Sequence, residues 1–262
     1  MSVLIKLNNL SIDSSVLPEL DVSQDDIELA SLPMLKFWLQ GGAQYRNGSS
    51  IKERASGVTI SPTSTATNTV TDGTFTNGAK ALVLADAGVY PYLPDTAFDV
   101  NKESWTVAVA FERSLTDSGN ATFMGGIKTS SGEDKHLYFA IAGNGNITLY
   151  KGTSSTRIAY ATDGLKGKKS LLVLSFDVNR GLTMRLNGLE VARNAADTLA
   201  LTESKVRFFA HSGTTQGTSD IGFGGKIGGF MIFDTDLTLP IHQSNLRKLE
   251  SKLMTKYGII SA

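Results

Sequence analysis

From Leu35 onward apolar residues recur at every second position, and this period constrains the fold more than any other feature of the chain. Trp105-Thr106-Val107-Ala108-Val109-Ala110-Phe111 alternates, as do residues 137–141, 147–150, 170–176, 182–186, 206–210 and 226–233. Alternation places successive side chains on opposite faces of an extended strand. Turn-forming residues stand between these runs: Gly143-Asn144-Gly145-Asn146, Asp163-Gly164, Asn187-Gly188 and Ser212-Gly213. Many short strands with such punctuation specify an antiparallel sandwich or barrel, not an alternating βαβ fold. The 26 glycines serve mainly these turns.

One long helix is expected, over residues 240–257 at the end of the chain. Leu246, Leu249, Leu253 and Tyr257 step by three, four and four, which stacks them on one face. Thr238 is the expected cap, Pro240 fits the first turn, and Gly258 suits the left-handed residue after the last. Arg247, Lys248, Lys252 and Lys256 against Glu250 leave this helix with a basic surface.

The first 33 residues differ from the rest. Lys6 stands against Asp13, Glu19, Asp21, Asp25, Asp26 and Glu28, a net −5 that leaves +5 for the remainder of a neutral chain. Val3, Ile5 and Leu7 alternate like a strand, and Asp25 to Ala30 suits one or two helical turns. The segment reads either as an acidic attachment arm or as a first strand and loop of the main domain. Its charge suits docking on the basic helix, in the same chain or a neighbour. Between Thr63 and Thr71 threonine occupies every second position, which suits an exposed edge strand or polar loop.

Composition removes several function classes. The chain has 262 residues, enough for one large domain or two small ones, with 41% hydrophobic and 19% charged residues. It has no cysteine, which excludes disulfides, thiol catalysis and cysteine-based zinc sites. Zero net charge argues against nucleic acid as a partner. No apolar run approaches the roughly 18 residues of a spanning helix, so no membrane insertion is expected. The start carries no basic, long-apolar signal pattern, so synthesis and assembly in a cytoplasm are expected.

The order of these elements resembles the concanavalin A-like lectin/glucanase superfamily, in its laminin-G-like or pentraxin-like branch. Asn77 to Leu84 followed by Trp105 to Phe111 is similar to two of its strands. Leu171 to Asp177 with Leu182 to Val191 is similar to its Asn-Gly hairpin, centred here on Asn187-Gly188. Gly224-Gly225-Lys226-Ile227-Gly228-Gly229-Phe230-Met231-Ile232-Phe233-Asp234 is similar to a late strand, and Phe37-Trp38-Leu39 to the opening one. Leu237-Thr238, leading into a helix that ends Lys256-Tyr257-Gly258-Ile259, completes the pattern. The resemblance covers residues 35–259. It implies an all-β, antiparallel two-sheet jelly-roll sandwich (residues 34–262) with the C-terminal helix covering part of its outside, preceded by the N-terminal arm, residues 1–33. Gly228 and Gly229, lacking side chains, allow a sheet face to approach another segment closely.

That superfamily holds enzymes, lectins and structural modules, so function must come from sites. The Glu-x-Asp-x-x-Glu strand of its glucanases is missing. The nearest approach, Glu19-Leu20-Asp21, lacks the second glutamate and precedes the sandwich, so no catalytic residue is assigned. Glu133-Asp134 beside Lys135 and His136 reads as a turn. His136, His211 and His242 have no metal-ligand spacing. Gly222-Phe223-Gly224-Gly225-Lys226 lacks the phosphate-loop pattern and leads into a strand. Family members often hold calcium at the sandwich rim; the oxygen ligands that this implies are Asp117 and Asn120, Asp134, and Asp220. Sugar binding needs an exposed aromatic and loop amides, for which Tyr90, Tyr92, Asn144 and Asn146 are the candidates; the alternative is that the tyrosines pack in the sandwich and the asparagines only turn the chain.

The resulting expectation is a non-enzymatic structural and adhesion protein of a bacteriophage particle. It would decorate capsid or tail through its arm, form homo-oligomers or contact other virion proteins, and offer its rim to a cell-surface glycan. A bacterial carbohydrate-binding module and an unorthodox glycan-cleaving enzyme are the alternatives.

Overall fold

The two faces set up by the alternation are both used in the computed structural model. It describes residues 23–62, 66, 68–86, 92–95, 100–117, 121–126, 136–141, 145–152, 156–162, 164–198, 200–201, 206–209 and 223–261. Two antiparallel sheets form among them. The first has eight strands and runs Leu189–Asn194, Gly181–Leu186, Lys169–Asp177, Ser104–Arg113, Gly225–Phe233, Lys80–Leu84 and Thr71–Thr74. Its eighth strand, Leu35–Gln40, pairs with the second half of Gly225–Phe233. The other sheet has nine strands, ordered Thr156–Tyr160, Ile147–Gly152, His136–Ile141, Ala121–Gly126, Val206–Phe208, Tyr92–Pro94, Thr59–Pro62, Ser50–Lys52 and Arg46–Asn47.

Side-chain parity divides the interior in two. Phe37, Leu39, Val107, Val109, Phe111, Leu172, Leu174 and Phe230 face the second sheet's Phe123, Phe139, Ile141, Leu149 and Phe208. Phe37 stacks on Phe208 at 4.5 Å, and Phe111 meets Phe123 edge-on at 5.1 Å. The intervening residues Trp38, Ala108, Ala110, Leu171, Val173 and Met231 form a second core with Leu246, Leu249, Leu253 and Tyr257 of the C-terminal helix. The central strands of the first sheet are therefore buried on both faces and carry apolar side chains on each, rather than alternating apolar with polar. The helix covers the outside of the sandwich as the resemblance implies.

Local chemistry explains the joints. Asn187 and Gly188 have φ of 49° and 86°, the left-handed pair that a two-residue hairpin turn demands, and Asn187 Oδ1 accepts from Leu171 N–H at 2.8 Å. Gly228 and Gly229 lie directly beneath the helix. A Cβ on Gly228 would stand 2.5 Å from Tyr257 Cε1, so only hydrogen fits there. Gly258 ends the helix at φ 64°. The helix start departs from expectation: Pro240–His242 is a 3-10 turn and the α-helix spans Gln243–Tyr257, with His242 at its N-cap and no side-chain cap. Thr238 instead donates its hydroxyl to Asp236 at 2.6 Å, and its carbonyl accepts from Gln243 Nε2 at 2.8 Å, because Pro240 fits the tight turn first.

The acidic segment docks in cis as far as it is described. Residues 1–22, with their expected strand, lie outside the described residues. Helix α1 (Gln24–Ala30) opens with a reciprocal capping box between Ser23 and Asp26 and packs on α2 (Gln243–Tyr257). Leu29 and Leu32 enter the second core, so the division at residue 33 separates parts that share an interior. Lys252 bridges Asp25 at 2.9 Å and Glu28 at 3.2 Å, and Asp26 pairs with Lys256 and, at 3.2 Å, Arg54. The threonine-rich stretch is described only in part, with Thr71–Thr74 an exposed edge strand and Val70 fully buried.

This docking is expected to be acid-labile. Burial alone would raise the Asp26 carboxyl, but the Lys256 ammonium, with Arg54 and the Ser23 N–H, holds it below its ordinary value. Glu28 is lowered too, by hydrogen bonds from Lys252 and Gln24. A carboxylate depressed in the fold contributes fully above its unfolded pKa of roughly 4, and that contribution disappears as pH falls through the folded value. Acidifying from pH 6 to 3 should therefore shift Trp38 emission, read in a Trp105→Phe chain, before the far-UV spectrum changes. Emission that stays constant to pH 3 refutes the assignment.

Candidate functional site at the sandwich rim

Three strands of the first sheet, Lys80–Leu84, Ser104–Arg113 and Gly225–Phe233, reach one rim together. Gly225 pairs with both Leu84 and Arg113. The preceding Gly224 lies against two carboxylates: a Cβ there would be 2.6 Å from Asp86 Oδ1 and 3.1 Å from Asp117 Cγ. These glycines begin a strand, as their sequence suggests, and admit the acidic side chains to the backbone. Phe223, just before them, enters the main core, stacked on Phe123 at 4.8 Å and edge-on to Phe111 at 5.7 Å.

At this rim lies a cavity of about 410 Å³ lined by Val83, Leu84, Asp86, Glu112, Arg113, Ser114, Leu115, Gly167, Gly225 and Lys226. Ligand pockets span about 300–1,000 Å³, so the volume suits a small ligand. Asp86 Oδ2 accepts the Ser114 hydroxyl at 2.9 Å and that of Thr116. Glu112 and Lys226 stand 3.8 Å apart, about a third or less exposed, and Leu115 is 74% exposed. Beside the cavity, Arg113 Nε donates to Asp117 Oδ2 at 2.9 Å with both side chains 1% exposed. The Arg113 carbonyl accepts from Gly167 N–H and the Gly224 carbonyl from Ser114 N–H, which fixes the lip. The arrangement offers carboxylate acceptors, hydroxyls and one ammonium donor, a set matched to a polyhydroxylated ligand.

The residues expected from sequence fall in three places. Tyr90, Asn144, Asn120, Asp134 and Asp220 lie outside the described residues. Asn146 is half-buried next to the strand Ile147–Gly152. Tyr92 does not offer a sugar platform: it is fully buried, donates to the Ser49 carbonyl at 3.0 Å and accepts from Val70 N–H at 3.1 Å. Its strand is interior to the nine-stranded sheet, and its ring packs edge-on to Phe209 at 5.9 Å. Asp117 does reach the rim, but it is held by Arg113. No group of three or more His, Asp or Glu side chains suited to a metal occurs among the described residues. Asp86, Glu112, Ser114 and Lys226 were not singled out. Asp86, in Leu84-Ala85-Asp86, carries only the signal of an acid just past a strand.

No family model matches the chain, and no curated protein matches it. Solved structures do. Trypanosoma rangeli sialidase in complex with 2,3-difluorosialic acid aligns with TM-score 0.56 and 15% identity over 88% of this chain and 37% of its own. The binding domain of botulinum neurotoxin DC in complex with SialylT aligns at 0.57 and 13%, over 86% of this chain and 52% of its own. The same binding domain in complex with rat synaptotagmin II gives 0.58 and 13%, over 84% and 52%. This chain thus spans between 37% and 52% of those structures' lengths. At such identities the likeness is one of architecture: the chain is an antiparallel β-sandwich.

Proposed function

We propose that the chain is a non-enzymatic glycan-binding adhesion module of a bacteriophage particle, with the rim cavity as its binding site. The observation that carries the reading is the convergence of Asp86, Glu112, Ser114 and Lys226 on one open cavity of about 410 Å³. Carboxylates accept pairs of sugar hydroxyls, Lys226 donates, and Leu115 supplies an apolar contact for a ring edge. The sandwich architecture shared with a sialidase in complex with 2,3-difluorosialic acid and a neurotoxin binding domain in complex with SialylT supports the same reading. The non-enzymatic part is supported by strands without the glucanase carboxylate pattern. Placement on a particle is supported by the acidic N-terminal segment and by a cysteine-free composition suited to a reducing cytoplasm.

The test is a glycan array probed with the full chain, followed by titration of any retained glycan. Hydrogen bonds to charged groups contribute about 1.5–3 kcal/mol, so Asp86→Ala and Lys226→Ala are each expected to weaken binding about tenfold or more. An array retaining nothing, or Asp86→Ala binding at full affinity, overturns the site. Release of reducing ends from the bound glycan overturns the non-enzymatic part. Particles lacking the protein should capture the full chain but not one without residues 1–22; equal capture removes the arm from the reading.

A further inference from the structure

The linker joining α1 to the sandwich is short and strained. Only Ser31, Leu32, Pro33 and Met34 separate α1 from the strand Leu35–Gln40. Met34 turns the chain at φ 61° while its side chain is 58% exposed. The left-handed region is unfavourable for a residue with a Cβ, so the hinge holds strain that no side-chain packing requires. The Met34 carbonyl accepts from Asp234 N–H at 3.0 Å, so a change of φ at Met34 would redirect α1 while the sandwich side of the hinge stays paired.

The seat that α1 occupies is built for an acidic helix. Lys248, Lys252 and Lys256 follow one face of α2 at four-residue spacing, and Arg54 lies over the Trp38 ring at 3.9 Å. Against them α1 sets Asp25, Asp26 and Glu28, with Lys248 and Glu28 at 3.8 Å completing the pairs described above. An emptied seat would leave the three lysines of α2, and Arg54 over Trp38, without these counter-charges, and Leu29 and Leu32 in water. All these contacts are between α1 with its following Leu32 and the seat, so the α1 of any copy fits the seat of any other. A cavity of about 250 Å³ bordered by Ser23, Asp25, Asp26, Gln40, Lys80 and Lys256 shows that the junction is not closed over.

We propose that α1 is exchanged between two copies of the chain, each seating its helix on the α2 and Trp38 of the other in a two-fold dimer. Exchange keeps the contacts of the seat and releases the strain at Met34; short strained hinges favour such swapping.

Two full-length charge-reversed chains test this, one carrying Asp25→Lys with Glu28→Lys, the other Lys248→Glu with Lys252→Glu. Each alone sets like charge on like, whereas the mixture restores the pairs only between chains. Sedimentation should show each alone as a monomer and the mixture as a one-to-one heterodimer. A mixture that stays monomeric, with both chains unfolding cooperatively, overturns the proposal. In the otherwise native chain, Met34→Gly accepts the left-handed turn and should lower the dimerisation constant about tenfold. Met34→Val, β-branched and averse to that turn, should raise it. Dimerisation constants that do not follow the order glycine, methionine, valine overturn it as well.

Discussion

Asp117→Ala is expected to destabilise the fold by about 3–5 kcal/mol, the range for breaking a buried ion pair by removing one partner. Arg113 and Asp117 are each 1% exposed and bonded at 2.9 Å, so the substitution removes the carboxylate that accepts from the buried guanidinium's Nε. For a chain of this size each kcal/mol lowers the melting temperature by about 2–4 °C, giving a fall of roughly 10 °C. Replacing both members, as Arg113→Met with Asp117→Leu, should be far milder, because no charge is then left buried. The comparison is made by thermal or urea unfolding of the three chains. A single variant as stable as the native chain would show that Asp117 is not held by Arg113. Glycan binding measured on the double variant also separates the pair's role as scaffold from the ligand-facing roles proposed for Asp86 and Lys226.

Tyr257→Ala should be comparably severe, at about 3–5 kcal/mol, since a fully buried ring is removed from the contact between helix and sheet. Tyr257 packs on Gly228 and against Phe75 at 5.3 Å, and lies under the Asp26 side of α1. Burial pushes its phenol far up, with the Asp26 charge acting in the same direction, so the group stays neutral at any working pH. Its hydroxyl is buried without a hydrogen-bond partner. Tyr257→Phe should therefore be neutral or stabilising, up to about 1 kcal/mol, which distinguishes loss of the ring from loss of the hydroxyl. Gly228→Ala approaches the same contact from the other side and should cost about 1–3 kcal/mol through overpacking. If urea midpoints place Tyr257→Ala within about 1 kcal/mol of the native chain, the helix is not seated by this residue.

The sequence is most legible where physics is local. Positive φ at Asn187 and Gly188, the Leu246-Leu249-Leu253-Tyr257 stripe, the cap at Gly258 and a helical turn from Asp25 all depend on neighbours within a few positions, and all are present. The close approach at Gly228 and Gly229 was also readable, because a double glycine inside a strand has few other uses. For Tyr92 the sequence left an exposed and a packed reading open, because nothing local says whether a tyrosine strand is central or peripheral; that depends on partners 30 residues before and 116 after it in the chain, Pro62 and Phe208. Glu53 gave no sign at all. It is buried, and besides the local N–H groups of Ala55 and Val58 at 2.7 and 3.1 Å it accepts from Trp38 N–H at 3.0 Å, a bond that exists only once Leu35–Gln40 lies beside its loop.

By itself, the sequence determined an antiparallel sandwich or barrel with one long closing helix, since hydrophobic period and turn chemistry are properties of contiguous residues, and the choice of two packed sheets came only with the resemblance. Tertiary structure alone decided which acids meet which bases. Asp26, Arg54 and Lys256 converge from three distant segments, as do Asp86, Ser114 and Lys226 at the rim. The physical reason is that charge interactions and cavities are set by separation in space, and a chain's alternation specifies the face of a strand but not the neighbour across it.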